Sequence, residues 1–365
     1  VDLVEKGVYD SVVTELGASM VRTNVDPAFQ ADSGVWDYSV LQGKDGWFDR
    51  LRKLREAAEK YNEPLRLIAQ VWSPPGWMKV NGLSTCGVCT REECRLKDGY
   101  EGLFAAHLVK YVQTIADSAD LDYYALSIQD EPSFKHPFNS CVYTGGHYVN
   151  VFKVVVPVFR QAGLATHFFG GEHMAWAYPS EYEICVRLDP EALSMMHAWA
   201  VHGYRDGIEA DTGSYSDIQA DTGSSSGSTP PQKPLWMTST SGSAYGAGLN
   251  DWPGAMALAL NILHFLRDSK GSVWTWWSLM ENGGGDGAYC LLLDGQPTAK
   301  YYVSSHFFRY IRPGARQVVS MSGDTDVVVV AFRHERNECM TMVLVNRGTS
   351  SKTVDGVSGA GVPAR

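Results

Sequence analysis

The chain has 365 residues, 44% of them apolar, so it can bury a large core, and disorder is excluded as its resting state. Its formal net charge of −10, with no dense Lys/Arg cluster, excludes nucleic acid and anionic membrane surfaces as partners and favours a neutral one. No apolar run approaches the roughly 20 residues of a membrane span, and the start, VDLVEKGVYD, lacks the basic and apolar regions of a signal peptide.

Helical and strand patterns alternate along the chain, as in a parallel barrel or a doubly wound sheet. Residues 45 to 61, DGWFDRLRKLREAAEKY, predict a helix with Asp45 as N-cap and Trp47, Leu51, Leu54, Ala58 and Tyr61 at helical spacing. The apolar segment LRLIAQVW follows as a strand. A helix with Phe104, Leu108, Tyr111, Val112 and Ile115 on one face comes next, then the strand YYALSIQ, which completes a β-α-β unit. YVNVFKVVVPVFR (148 to 160) is β-branched and holds Pro157, and only its place between strands argues for a helix. Further strands are predicted near HFFGGEH (167 to 173), LSMMHAW (193 to 199), PLWMT (234 to 238) and SVWTWW (272 to 277).

Between the last two lies a helix with Asn250 or Asp251 as cap, Pro253 in its first turn and Gly271 as stop. Residues 210 to 230 contain ADTGS twice and then SSSGSTPP, the pattern of a surface loop. From about residue 316 the pattern alternates as antiparallel strands do, predicting a small β domain.

Two compositional features point outward. Aromatic residues make up 12%, with 11 Trp and 18 Tyr, and sugar binding is one outlet for that excess because pyranose faces stack on rings; a Trp-rich core is the other. Of seven cysteines, three crowd into STCGVCTREEC (Cys86, Cys89, Cys94). A zinc site would want a second ligand pair nearby, so disulfides in an oxidising compartment are the expectation. Connectivity to Cys141, Cys185, Cys290 and Cys339 stays open.

LSIQDEPSF places Glu131 just past a buried strand, where a parallel barrel carries its catalytic groups. VWSPPGWMKVNG (71 to 82), YALSIQDEP (124 to 132), PLWMTSTSG (234 to 242) and KYYVSSHFFRYIRPGARQV (300 to 318) together resemble glycoside hydrolase family 30, a clan A group. The resemblance implies a (β/α)8 TIM barrel over residues 1–315 and part of a small antiparallel side β-sandwich over 316–365. The first barrel strand is expected to be absent, because VDLVEKGVYDSVVTELGA already matches the helix after it. Implied too is retaining hydrolysis of β-glycosides by two carboxylates, with no metal and no cofactor.

By that resemblance Glu131 falls on the general acid/base, which needs a raised pKa to serve both steps. Asp130 stands where the family usually has Asn, and an ionised Asp can only accept a hydrogen bond from a sugar hydroxyl. The nucleophile pattern Trp-Met-Thr-Glu lands on Trp236, Met237, Thr238 and Ser239, so the glutamate is missing; Glu281 is the nearest alternative in sequence. Arg22 resembles the arginine that supports the nucleophile. Glu172 ends strand five, and His197 with Trp199 resembles the His-x-Tyr of strand six. Trp72 and Trp276 are expected to line the sugar cleft. SLMENGGG lacks the arginine that members recognising glucuronic acid carry after strand eight.

The expected function is thus a secreted, monomeric hydrolase of xylan or a related hemicellulose, inactivated by Ser239. β-1,6-Glucan, β-galactan or a glucosyl lipid are the alternative substrates, and a non-catalytic carbohydrate-binding protein is the alternative class.

Overall fold

The computed structural model describes residues 7–42, 46–173, 180–204, 233–241, 251–282, 287–335 and 338–357. The ADTGS repeats lie outside them. The β/α series begins with α1 (Val8–Thr14), β1 (Met20–Val25), α2 (Trp47–Lys60), β2 (Arg66–Val71), α3 (Glu101–Ala119) and β3 (Tyr123–Ser127). It continues with α4 (Gly145–Gln161), β4 (His167–His173), α5 (Glu181–Leu188), α6 (Pro190–Met195), β5 (Ala198–His202), β6 (Leu235–Ser239), α7 (Trp252–Arg267) and β7 (Val273–Trp274). Beyond these come β8 (Met280–Glu281), β9 (Leu292–Leu293), β10 (Gln296–Pro297), α8 (Ala299–Phe308), β11 (Arg316–Val318), β12 (Val327–His334) and β13 (Cys339–Asn346).

Strands β1 to β7 form one parallel sheet in sequence order. Its two edges, β1 and β7, border a cavity of about 890 Å³ lined by Met20, Arg22, Trp236, Val273 and Trp276 among others. The fold is TIM-barrel-like, with seven strands among the described residues. β11 to β13 form a separate antiparallel sheet, and Val330, Phe332, Val343 and Val345 pack it on Leu258, Ile262 and Leu263 of α7.

Strand alternation sorts side chains between two cores. On β5, Ala198 and Ala200 point into the barrel with Ile68, Ala125, Phe169 and Trp236. Trp199 and Val201 point outward and join the helix layer. Aromatics fill the amino-terminal half of the barrel, where Trp236 lies 5.3 Å from Phe169 and 6.3 Å from Tyr124 between ring centroids. The polar residues described below are thereby left to the carboxyl end.

Local chemistry accounts for the helix ends. Asp251 caps α7 by accepting from Gly254 N, whereas α2 is capped by Gly46, with Asp45 outside the described residues. α4 is helical through Pro157 and starts at the Thr144 cap. The predicted strand at 193 to 199 is corrected: Asp189 accepts from Ala192 N with Pro190 behind it, which starts α6, and the strand begins only at Ala198.

Glycine at position 170 is required by packing, because a Cβ there would stand 2.2 Å from Tyr148 Oη, and Tyr148 is fully buried. Gly170→Ala should lower stability by about 1–3 kcal/mol, and adding Tyr148→Phe should recover part of it by removing the overlapping oxygen. Urea unfolding of the three variants checks this; an unchanged Gly170→Ala would contradict the packing described.

Candidate active site

Four strands deliver charged residues to one place. Arg22 projects from β1, Asp130 and Glu131 follow β3, Glu172 sits on β4 and His202 ends β5. Arg22 Nη2 lies 2.7 Å from Asp130 Oδ1 and 2.5 Å from Glu172 Oε1. His202 Nδ1 lies 2.9 Å from Glu131 Oε1, and its Nε2 is 3.4 Å from Glu172 Oε1 and 3.7 Å from Asp130 Oδ1. His136 Nε2 stands 2.7 Å from the other Glu131 oxygen. All these residues other than Arg22 are buried as whole residues, and the Arg22 side chain is only 8% exposed.

Two of the carboxylates sit on strained backbone: Glu131 has φ +44° and Glu172 φ +40°. A non-glycine residue held there costs on the order of 1–3 kcal/mol and persists only where its surroundings dictate it. Here the ion pairs do so, since each carboxylate is anchored by Arg22 or His202.

Charge sets the protonation. Burial, the largest single influence, pushes Glu131 up, but contacts with His136 and His202 outweigh it and hold the carboxyl at about 2. The acid of raised pKa expected from the sequence is therefore not what the structure holds. Burial dominates at Asp130 and raises it to about 6 against the pull of Arg22 and His202. Burial alone would lower His202, yet its bonds to Glu131 and Glu172 carry it to about 9, so it is a second cation of the cluster beside Arg22. Glu172 stays below its usual range because Arg22 and His202 overcome its burial.

Asp130, Glu172 and His202 bring ligand atoms within 4.8 Å of one another, as do Asp130, Glu131 and His136. The Arg22 guanidinium already occupies Asp130 and Glu172, and its charge together with that of His202 opposes a metal cation there.

Ser239 ends β6 and pairs in register with His202 of β5. Its Oγ is 2.5 Å from Tyr204 Oη. Burial dominates at Tyr204 and raises its pKa, so the phenol beside the serine stays protonated and is no base. Glu281 is elsewhere: it lies on β8, paired with β9, and interacts with Cys290.

The structure moves three predicted binding residues. His197 precedes β5 and packs on His167 at 4.2 Å and on Tyr124 at the amino-terminal mouth. A His-x-Tyr does stand at the carboxyl mouth: His202, Gly203 and Tyr204, beside Glu131 and Ser239. Trp199 faces the helix layer, with Arg187 4.8 Å from its ring centroid. Trp276 packs among Val12, Leu291 and Tyr301, with Lys300 above it. The cleft aromatics are Trp72 and the next residue along, Trp277, whose ring centroids are 5.5 Å apart, with Phe138 5.3 Å from Trp72. A strand-end alternation count from Trp274 could have chosen Trp277 over Trp276; nothing in the sequence marked Phe138.

The loop carrying His136 and Phe138 is fastened to the cysteine-rich segment. Thr85 bridges Asn139, Val142 N donates to Cys94 O at 2.9 Å, and Arg91 Nη1 donates to Ser133 O at 2.7 Å. Cys86 and Cys94 are disulfide-bonded, and Cys89 beside them is free. Cys141, Cys185, Cys290 and Cys339 are free as well.

A parallel β/α barrel with acids and aromatics gathered at its carboxyl mouth is the architecture of a barrel-type glycoside hydrolase. Residues 44–219 match the family described as Glycosyl hydrolase family 30 TIM-barrel domain. The chain is 22% identical over 356 residues to glucuronoxylanase XynC of Bacillus subtilis, covering 93% of this chain and 72% of that one. It is 28% identical over 156 residues to an endo-1,6-beta-D-glucanase of Neurospora crassa, 41% of this chain and 32% of that one. Among solved structures, an endo-beta1,6-glucanase superposes with TM-score 0.76 at 19% identity, over 94% of this chain and 80% of its own. A GH30 endoxylanase from Clostridium papyrosolvens C71 does so with TM-score 0.69 at 19% identity, over 94% and 78%. The family match, the curated relatives and the solved structures together support a glycoside hydrolase of family 30.

The raised pKa of His202 has a thermodynamic consequence. Its ordinary value is 6.5 and its folded value about 9, so the stability it contributes is complete below pH 6.5 and is lost as pH rises through 9. Melting temperature should fall across that window, and Glu131→Gln, which removes one negative charge facing His202, should make the fall shallower. Parallel pH–melting curves check this; identical slopes would contradict the pairing.

Proposed function

We propose that this protein is built as a retaining β-glycan hydrolase in which Ser239 holds the position of the nucleophile and Glu131 that of the general acid/base. The observation that carries the reading is that His202 contacts the Glu131 carboxylate and pairs in strand register with Ser239, so both positions share one mouth. Glu131 would protonate the leaving oxygen while a carboxylate attacked the anomeric carbon. A serine bonded to a weakly acidic tyrosine cannot supply that attack, so the chain binds sugar and leaves it uncleaved.

Electrostatics agree with this. In a retaining pair the ionised nucleophile raises the pKa of its partner by like-charge repulsion; without it the two histidines dominate and Glu131 stays ionised. The substrate is a neutral β-linked polysaccharide of the xylan or β-1,6-glucan class, in keeping with the compositional charge and with relatives named for each. A secreted monomer fits such a polymeric substrate.

Ser239→Glu should create hydrolysis with retained anomeric configuration, and adding Glu131→Gln should remove most of it, followed by NMR of the released anomer. Substantial activity in the Ser239 protein, or none in Ser239→Glu on a glycan it binds, would sink the reading. Titration with xylo-, β-1,6-gluco- and galacto-oligosaccharides ranks the substrates. Trp72→Ala and Trp277→Ala should each weaken binding by about 1 kcal/mol, whereas Trp199→Ala and Trp276→Ala should cost fold stability instead.

A further inference from the structure

The segment Phe134-Lys135-His136-Pro137-Phe138 follows the Glu131-Pro132 pair, and no step of the function above has yet been given to it. His136 sits between two rings: Phe134 lies edge-on at 4.3 Å and Phe138 stacks at 4.4 Å with an interplanar angle of 22°. Its backbone N–H donates to Ser140 Oγ at 3.2 Å. Phe134 and Phe138 are exposed at the rim, and Phe138 touches Trp72.

The two imidazoles on Glu131 are held differently. His202 is 1% exposed at its side chain, and its two nitrogens face Glu131 on one side and Glu172 with Asp130 on the other. His136 Nε2 stands 2.7 Å from Glu131 Oε2, but it is not aligned for a hydrogen bond there. A locked, aligned partner holds one oxygen and a misaligned partner at the rim holds the other. Only the second can be exchanged for a sugar oxygen without breaking up the buried cluster.

The geometry points to His136 as a positioning residue for Glu131: it covers the carboxylate oxygen that must face the glycosidic bond, and it withdraws when a sugar stacks on Phe138. Filling the Phe138 side of the cleft is thereby linked to protonation of Glu131. An ionised carboxylate without its second imidazole takes up a proton more readily, because one of the two partners favouring its charge has gone. The other groups facing Glu131 are Asp130 beside it, His202 from β5, and Tyr204 after β5, with Arg22 from β1 and Glu172 from β4 behind them. None of these lies at the rim against an exposed ring. The link between His136 and catalysis rests on Glu131 being the acid/base; the contact between the two residues does not.

The test uses the full Ser239 chain and needs no turnover. Carbon-detected NMR follows the Glu131 carboxyl through a pH titration. His136→Gln, which keeps a polar group but removes the imidazole, should raise the Glu131 midpoint by about one unit or more. Saturation with a β-1,6-gluco- or xylo-oligosaccharide should raise it in the unsubstituted chain and fail to do so in Phe138→Ala. An unchanged midpoint in folded His136→Gln overturns the proposal, and so does a saccharide response that survives Phe138→Ala. If His136→Gln does not fold, the Phe138→Ala comparison decides alone. In the Ser239→Glu background the alkaline limb of kcat/KM should move to higher pH with His136→Gln; a uniform fall with no movement of the limb would mark His136 as structural only. Inactivity of Ser239→Glu itself would count against the function proposed above and leave the titration result standing.

Discussion

Three buried carboxylates, Asp130, Glu131 and Glu172, meet at the end of a parallel barrel, and the structure around them depends on how their charge is balanced. Two cations do this from opposite sides. Arg22 bridges Asp130 and Glu172 from β1, and His202 reaches all three from β5. Removing either cation would leave buried carboxylate charge only partly balanced, which costs several kcal/mol. The same balance holds Glu131 and Glu172 in left-handed backbone that a glutamate would otherwise avoid.

On the function proposed above, that balance also gives a serine at the nucleophile position an effect beyond the missing chemistry. The family mechanism depends on two carboxylates whose mutual repulsion keeps one protonated. With serine on β6 the repulsion is gone, while the histidines that would have offset it stay. Glu131 is then a settled anion, held so by His136 and His202.

The rim above the cluster is built from two loops that stabilise each other. The segment after Glu131 carries Phe134, His136 and Phe138, and it is tied strand-fashion to the cysteine-rich loop through Thr85, Cys94 and Arg91. The cysteine cluster thus acts on the cleft through backbone geometry. The exposed rings it supports, with Trp72 and Trp277, form the surface where sugar stacking is expected.

Much of this was legible in the sequence. Apolar periodicity fixed the β/α alternation, because strand and helix repeats differ and each imprints its own spacing. The motifs around Glu131 and PLWMTSTSG identified the family, and Ser239 stood out because a carboxylate was expected there. Arg22, Asp130, Glu131 and Glu172 were all read from sequence, and the fold brings the four together. What only the tertiary structure decided was orientation at single-residue resolution. Trp199 and Trp276 face the helix layers, His197 lies at the far mouth, and their places are taken by Trp277 and His202. One step along a strand reverses the face of a side chain, so an aromatic-rich strand names its candidates without saying which one meets the cleft. The low pKa of Glu131 was out of reach for the same reason. It depends on His136 and His202, distant from each other in sequence, and only their convergence on one carboxylate turns an expected acid into an anion.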